Sequence, residues 1–392
     1  MKAQVLLLAG AQALFQTASV LVMTVAALAG ALVASRPEWA TAPVAAMFFG
    51  TTLFMIPASL WMARFGRRPG FIAGAMLGTL GGLAAALGMW LQSLAVLSLG
   101  TFLVGAYQAF AQFYRFAAAE VAGPAYRPKA ISLVLAGGVV AALLGPLLGR
   151  LGGPLLEPQY SASFLFLAGT SLIAALVLLG LRVAPVEASS RELETARPFA
   201  VIAGQPAYLV ALFCAATGYG VMILAMTATP LAMLQHHHGL ADAATVIQLH
   251  VLGMFLPSFI TGSLIARFGV LNVMLAGLAL LSFHVLTTLT GTGFGSFAGA
   301  LLLLGVGWNF LYVGSTTLLT STYLPSEKGR AQAFNEIAIF VVGLACSLAA
   351  AALLRALGWQ MLNVALLPWL AAALFAVLGL AFSDRASARI KA

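Results

Sequence analysis

Ser59-Leu-Trp-Met-Ala-Arg-Phe-Gly66 closes one long apolar run of this chain, and Ser263-Leu-Ile-Ala-Arg-Phe-Gly269 closes another. The shared Ala-Arg-Phe-Gly begins at 63 and again at 266, so the two halves of the chain are related. Working outward, twelve apolar runs cover 4–33, 40–62, 70–92, 94–119, 130–151 and 161–183, then 206–233, 241–265, 270–291, 296–320, 331–354 and 360–383. About 20 apolar residues in helical form cross the ~30 Å hydrocarbon core of a bilayer. The longest hydrophilic stretch, Glu187 to Gln205, divides the runs into six and six. The expected fold is an all-α integral membrane protein with twelve transmembrane helices in two pseudo-symmetric six-helix halves. Those halves are 1–184 and 206–392, joined by a linker at 185–205. Repeats of this kind place a substrate between the halves near the midplane, as in secondary transporters.

Composition agrees. Hydrophobic residues make up 62% of the chain, charged residues only 7%, and mean hydropathy is +1.04. A soluble domain carries about a quarter charged residues. The net charge of +9 would suggest nucleic acid in a soluble protein, but its placement excludes that reading. With both termini cytoplasmic, fifteen of the nineteen Lys and Arg residues fall inside. Arg36, Arg150 and Arg355 fall outside, and Arg115 lies within a span. Basic residues concentrate on the cytoplasmic side of membrane proteins, so the charge reports topology. The first run is too long for a signal-peptide core and reads as a retained span. Cys214 and Cys346 lie in apolar segments and are too few for a disulfide framework. No Walker loop, dinucleotide fingerprint, zincin or nucleophile-elbow motif is present. The chain therefore reads as a non-enzyme with no catalytic cofactor.

The stretch Ser59 to Arg68, S-L-W-M-A-R-F-G-R-R, resembles the G-x-x-x-D-R-x-G-R-R loop of the major facilitator superfamily. Arg64, Gly66, Arg67 and Arg68 match and are implied to form the cytoplasmic gating loop. Ala63 stands where the family has an acid that helps latch the two halves, so that latch lacks its usual acid here. Gly145-Pro146 and Gly149 resemble the family's motif in its fifth helix. The resemblance implies alternating access in a bacterial cytoplasmic (inner) membrane, by a chain acting as a monomer in the lipid bilayer.

Met222 to Met254 holds four of the thirteen methionines and four of the five histidines. Met222-x-x-x-Met226 and His250-x-x-x-Met254 each place two side chains on one helical face. Thioether and imidazole donors suit copper, Cu(I) above all. Both pairs fall roughly 10–20 Å below the outer surface at 1.5 Å per residue. The plain alternative is packing, since methionine fills gaps in apolar helices. An intramembrane histidine, however, is usually functional. The paired motifs, with Gly-Trp-Asn-Phe at 307–310, resemble the CcoA-like (CalT) copper importers of bacteria. That resemblance implies copper ion as the substrate, bound by Met222, Met226, His250 and Met254. It also implies a cytosolic or membrane copper acceptor and supply to haem-copper oxidase assembly. The expected function is thus copper import.

A sister group imports riboflavin without the paired motifs. The alternative is accordingly a transporter of a small organic solute, a riboflavin-like vitamin or a drug. It would use Tyr107, Gln112, Tyr114, Trp308 and Asn309. A metal sensor that kept a transporter fold is a third reading. Cys214, Cys346, His236, His237 and His238 are auxiliary metal candidates. Gln112, Arg115 and Asn309 are polar cavity candidates, with helix-packing hydrogen bonds as the plain alternative. Arg115 requires a partner or water at its depth. Glu120 and Glu336, near cytoplasmic helix ends, are proton-carrier candidates, with capping or pairing with Arg127 or Arg330 as the expected reading.

Overall fold

The computed structural model describes residues 2–36, 39, 42–182 and 197–390, with the side chains of all but 27, 240, 241, 244, 351 and 384–390. Arg191, most of the expected linker (185–196) and Lys391 lie outside the described residues, as do the side chains of Arg385 and Arg389. Regular structure among the described residues is helical, and twelve helical segments are long and apolar enough to cross a membrane. The chain is a multi-pass membrane protein. Helices α1 (Lys2–Val33), α2 (Ala42–Phe65), α3 (Arg67–Trp90), α4 (Leu94–Ala111) and α5 (Tyr114–Ala122) come first. α6 (Arg127–Ala136), α7 (Gly138–Gly152) and α8 (Ser161–Leu178) follow. After the short α9 (Phe199–Ala203) come α10 (Pro206–Gln235), α11 (Leu240–Phe255), α12 (Ser258–Phe268) and α13 (Val270–Thr288). The last are α14 (Phe294–Leu319), α15 (Lys328–Val364) and α16 (Leu367–Ile390).

Several spans read as single runs from the sequence are broken helices. α4 and α5 form one span, Leu94–Ala122, interrupted at Gln112–Phe113. α11 and α12 form the span Thr245–Phe268, interrupted at Pro257, which has no N–H to continue the helical ladder. In α15, Gly358 is non-helical at φ 73°, within the gap expected between the last two runs.

The chain forms two compact units. Unit one contains Met1–Pro124, Leu133–Glu194 and the short piece Gln332–Ile337 of α15. Unit two contains Ala125–Ser132, Thr195–Ala331 and Ala338–Ala392. Each unit is built on the same device. In unit one, Gly81 of α3 and Gly100 of α4 touch, a Cβ on either lying 2.6 Å from the other's carbonyl oxygen. In unit two, Gly277 of α13 and Gly307 of α14 do the same at 2.9 and 3.0 Å. Small residues allow such backbone approach where lipid provides no hydrophobic drive for helix association. The second seam also repeats. A Cβ on Gly105 would strike Met47 O and lie 2.9 Å from Thr51 N of α2, while one on Gly305 would lie 2.5 Å from His250 O and 2.8 Å from Met254 N of α11.

The Ala-Arg-Phe-Gly repeat ends in one backbone conformation twice. Gly66 has φ 94° and ψ 164°, and Gly269 has φ 88° and ψ 153°. Each glycine caps the helix that follows, in a region that L side chains rarely enter.

Outside the spans, Glu327 anchors the chain that emerges from the linker. Its carboxylate accepts from Arg197 Nε (2.8 Å), Arg197 Nη2 (2.7 Å), Arg197 N (2.9 Å) and Leu324 N (2.9 Å). The Arg197 hydrogen bonds hold its carboxyl down at about 2, against the opposing effect of burial. A depressed acid contributes stability that is complete above its unfolded value and lost as pH falls toward its folded one. Thermal unfolding in detergent should therefore show an acid limb between the ordinary carboxylate range and about pH 2. Glu327→Gln should flatten that limb and lower stability at neutral pH. Gly269→Ala meets no atom within 4 Å. Its loss should be the backbone term alone, about 1–3 kcal/mol, read from the same melts.

Candidate functional site

His250 is fully buried, and its place is set by the α11–α14 seam. Its Nδ1–H donates to Leu301 O of α14 at 2.9 Å, while Nε2 has no partner among the described residues. Local sequence offers no such partner, because Leu301 is 51 residues away. Met254 is buried in the same seam, in the register that Thr51 occupies in unit one. Met222 is buried and Met226 half-buried on α10. The fifth histidine, His284, drew no attention in the sequence. It is also buried, with Nδ1 on Ala300 O (2.8 Å) and Nε2 on Asn363 Oδ1 (3.0 Å). Two imidazoles thus hold consecutive carbonyls of α14, a helix-packing use of histidine.

The auxiliary candidates are dispersed. His238 Nε2 bonds Thr292 O at 2.7 Å, and its ring meets the edge of Phe297. His236 lies by the same ring, and the exposed His237 turns the chain at φ 64° after α10. Cys214 is buried and Cys346 half-buried, both as free thiols. Among the described residues, no three His, Cys, Asp or Glu side chains converge in a way that could hold a metal.

Asn309 is consumed by packing rather than presented to a cavity. Its Nδ2 donates to Met254 O (2.6 Å) and Ser258 Oγ (2.5 Å), and its Oδ1 accepts from Thr261 Oγ1 (2.7 Å). These bonds cover polar atoms at the break between α11 and α12, as buried backbone in lipid requires.

In unit one the polar candidates form an ionic chain. Arg115 Nη2 pairs with Glu336 Oε1 at 2.5 Å, and Nη1 bonds the half-buried Gln112 at 3.1 Å. Arg67 pairs with Glu120 at 2.7 Å and donates to Gln332 Oε1 at 2.7 Å. The acids pair with Arg67 and Arg115, two arginines other than the Arg127 and Arg330 expected from sequence. Within the motif of Arg64 to Arg68, Arg67 is the buried member, and its ion-pair partner is Glu120 of α5. Arg64 lies exposed by Phe65, and Arg68 donates to Leu179 O.

Unit two carries a row of aromatic rings. Phe255 meets Trp308 edge-on at 6.0 Å, and Trp308 stacks on Tyr312 at 4.7 Å with 18° between planes. Tyr219 of α10 lies 6.5 Å from Tyr312 and 5.4 Å from Phe340 of α15. On the helices that carry this row, Trp308 Nε1, Ser315 Oγ and Thr217 Oγ1 are buried without partners among the described residues. Aromatic faces with a few uncommitted polar atoms are what planar organic ligands require. Sequence reading reached Trp308 but missed Tyr219, Tyr312 and Phe340. The spacing of four in Trp308-x-x-x-Tyr312 was the available signal.

Residues 5–256 match the Major Facilitator Superfamily, and the chain belongs to that family of transporters. It is 37% identical over 366 residues to the riboflavin transporter RfnT of Brucella anthropi, covering 93% of this chain and 92% of that protein. The MFS-type transporter YddS of Bacillus subtilis is 28% identical, covering 82% and 78% respectively. In fold, the chain matches the Escherichia coli fucose:proton symporter FucP with a TM-score of 0.74 at 16% identity, over 95% of this chain and 97% of that one.

The relationship to RfnT overturns the copper-import reading. A spacing of four fixes a helix face but not the neighbour it meets, and here the His250 ring donates to Leu301 O of α14. His250→Ala should lower stability by about 1–3 kcal/mol by leaving Leu301 O without its donor. Met222→Leu and Met226→Leu conserve volume and should lose less than ~1.5 kcal/mol. Thermal melts of the purified variants check both outcomes.

Proposed function

We propose that the chain imports riboflavin or a closely similar flavin across the bacterial cytoplasmic membrane. It would work by alternating access, as a monomer with cytoplasmic termini. The observation that carries this reading is 37% identity to a riboflavin transporter over nearly the whole of both chains. The aromatic row supports it independently. Trp308 and Tyr312, stacked on one another, form an aromatic wall of the kind that flat ring systems pack against. Trp308 Nε1, Ser315 Oγ and Thr217 Oγ1 offer hydrogen bonds for carbonyl edges and a polyhydroxyl chain. The asymmetry of Lys and Arg supports the orientation.

The test is growth of a riboflavin-requiring bacterium that lacks its own uptake system, with labelled riboflavin uptake measured alongside. The wild-type gene should restore both. Trp308→Ala should reduce uptake about tenfold, the equivalent of a stacking contact of roughly 1.4 kcal/mol, at unchanged membrane levels. Trp308→Phe keeps a ring face and should lie between. A well-inserted wild-type protein that rescues neither growth nor uptake would sink the flavin assignment.

A further inference from the structure

One ring of the aromatic row in unit two has surface to spare. Phe255, Trp308, Tyr312 and Phe340 are buried, whereas Tyr219 of α10 is half-buried. A solute can gain contact only with a ring that is not already covered.

The place of that ring is set from α15. Phe340 and Gly343 are three residues apart and share a helix face. Phe340 meets the Tyr219 ring at 5.4 Å between centroids. At Gly343 the ring lies on the backbone itself, where a Cβ would be 2.5 Å from Tyr219 Cε1 and 2.8 Å from Cδ1. Carbon atoms pack best at about 3.5–4.0 Å, so a methyl at 343 would displace the ring by roughly 1 Å.

The contact is reciprocal. A Cβ on Gly220, next to Tyr219, would lie 2.8 Å from Val342 Cγ1, next to Gly343, and 2.3 Å from Trp369 Cη2 of α16. Each helix thus offers a glycine to a side chain of the other. With both contacts this tight, crowding at 343 falls on the side-chain torsions of Tyr219 rather than on a shift of α10.

We propose that Tyr219 is the ring of this wall against which the flat face of the cargo packs, and that Gly343 is a positioning residue for recognition, acting through Tyr219. The contact with cargo rests on the flavin-transport reading, whereas the positioning of the ring stands on geometry alone.

Riboflavin uptake by the full-length protein in lipid vesicles reads the recognition. Tyr219→Phe keeps the ring and should hold KM within about twofold, while Tyr219→Leu should raise it up to about tenfold, one stacking contact. Gly343→Ala should raise KM several-fold with Vmax and membrane level kept. Added to Tyr219→Leu, it should raise KM no further, because a residue acting only through another has no effect once that one is gone. An unchanged KM in Tyr219→Leu overturns the contact. Additive effects, or a Gly343→Ala that loses Vmax alone, overturn the positioning. Should Gly343→Ala fail to fold, Phe340→Leu opens the other side of the notch and faces the same comparison; an unchanged KM there counts against positioning by α15. Fluorine spectra of fluorotyrosine-labelled protein, without substrate, give a separate readout. Gly343→Ala should move the line that Tyr219→Phe deletes, and an unmoved line overturns the positioning. Wild-type vesicles that carry no riboflavin would overturn the cargo and the contact with it, while the fluorine line still decides what sets the ring.

Discussion

Gly105 in α4 and Gly305 in α14 let a neighbouring helix come so close that no side chain fits between. Much else in each unit follows from that approach. Once α11 lies on Gly305, His250 and Met254 are committed to the seam, and His250 finds a carbonyl on α14. One turn along α14, Asn309 is brought to the break between α11 and α12 and covers its exposed polar atoms. Trp308, on the same stretch, is carried against Phe255 and starts the aromatic row. A bilayer offers no hydrophobic gain for pressing two helices together, so close packing and interhelical hydrogen bonds must do it. Larger residues at these glycines would remove both at once.

Charge is handled by a different rule. A charged group at membrane depth survives only with a partner, and unit one concentrates its charges into Arg67–Glu120 and Arg115–Glu336. The loop motif from Arg64 to Arg68 keeps its basic residues and lacks the acid within the motif, yet Arg67 is not stranded. Glu120, 53 residues on, pairs with it, and Gln332 adds a neutral acceptor.

The soft-donor stripe and the aromatic row show how two readings of one set of helices diverge. Methionine and histidine at spacings of four are compatible with coordination and equally with a packing seam. What separates the two is the identity of the atoms across the interface. For His250 the ring nitrogen Nδ1 meets a backbone carbonyl, Leu301 O, across the seam. For Trp308 and Tyr312 they are other rings and uncommitted polar atoms, an environment suited to a flat organic molecule.

The chain by itself determined the class of protein. Apolar run lengths fix the spans because a bilayer has one thickness, and the Ala-Arg-Phe-Gly repeat marks the halves because one turn conformation is needed twice. Helix breaks at Pro257 and Gly358 were likewise local, set by a missing N–H and a missing Cβ. Tertiary structure alone decided the partners. The acid for Arg115 lies 221 residues away and the carbonyl for His250 lies 51 away, and no local pattern encodes such distances. Periodicity states which side chains share a face of one helix. Only the packed helices state what that face meets, because the neighbouring backbone comes from residues far along the chain.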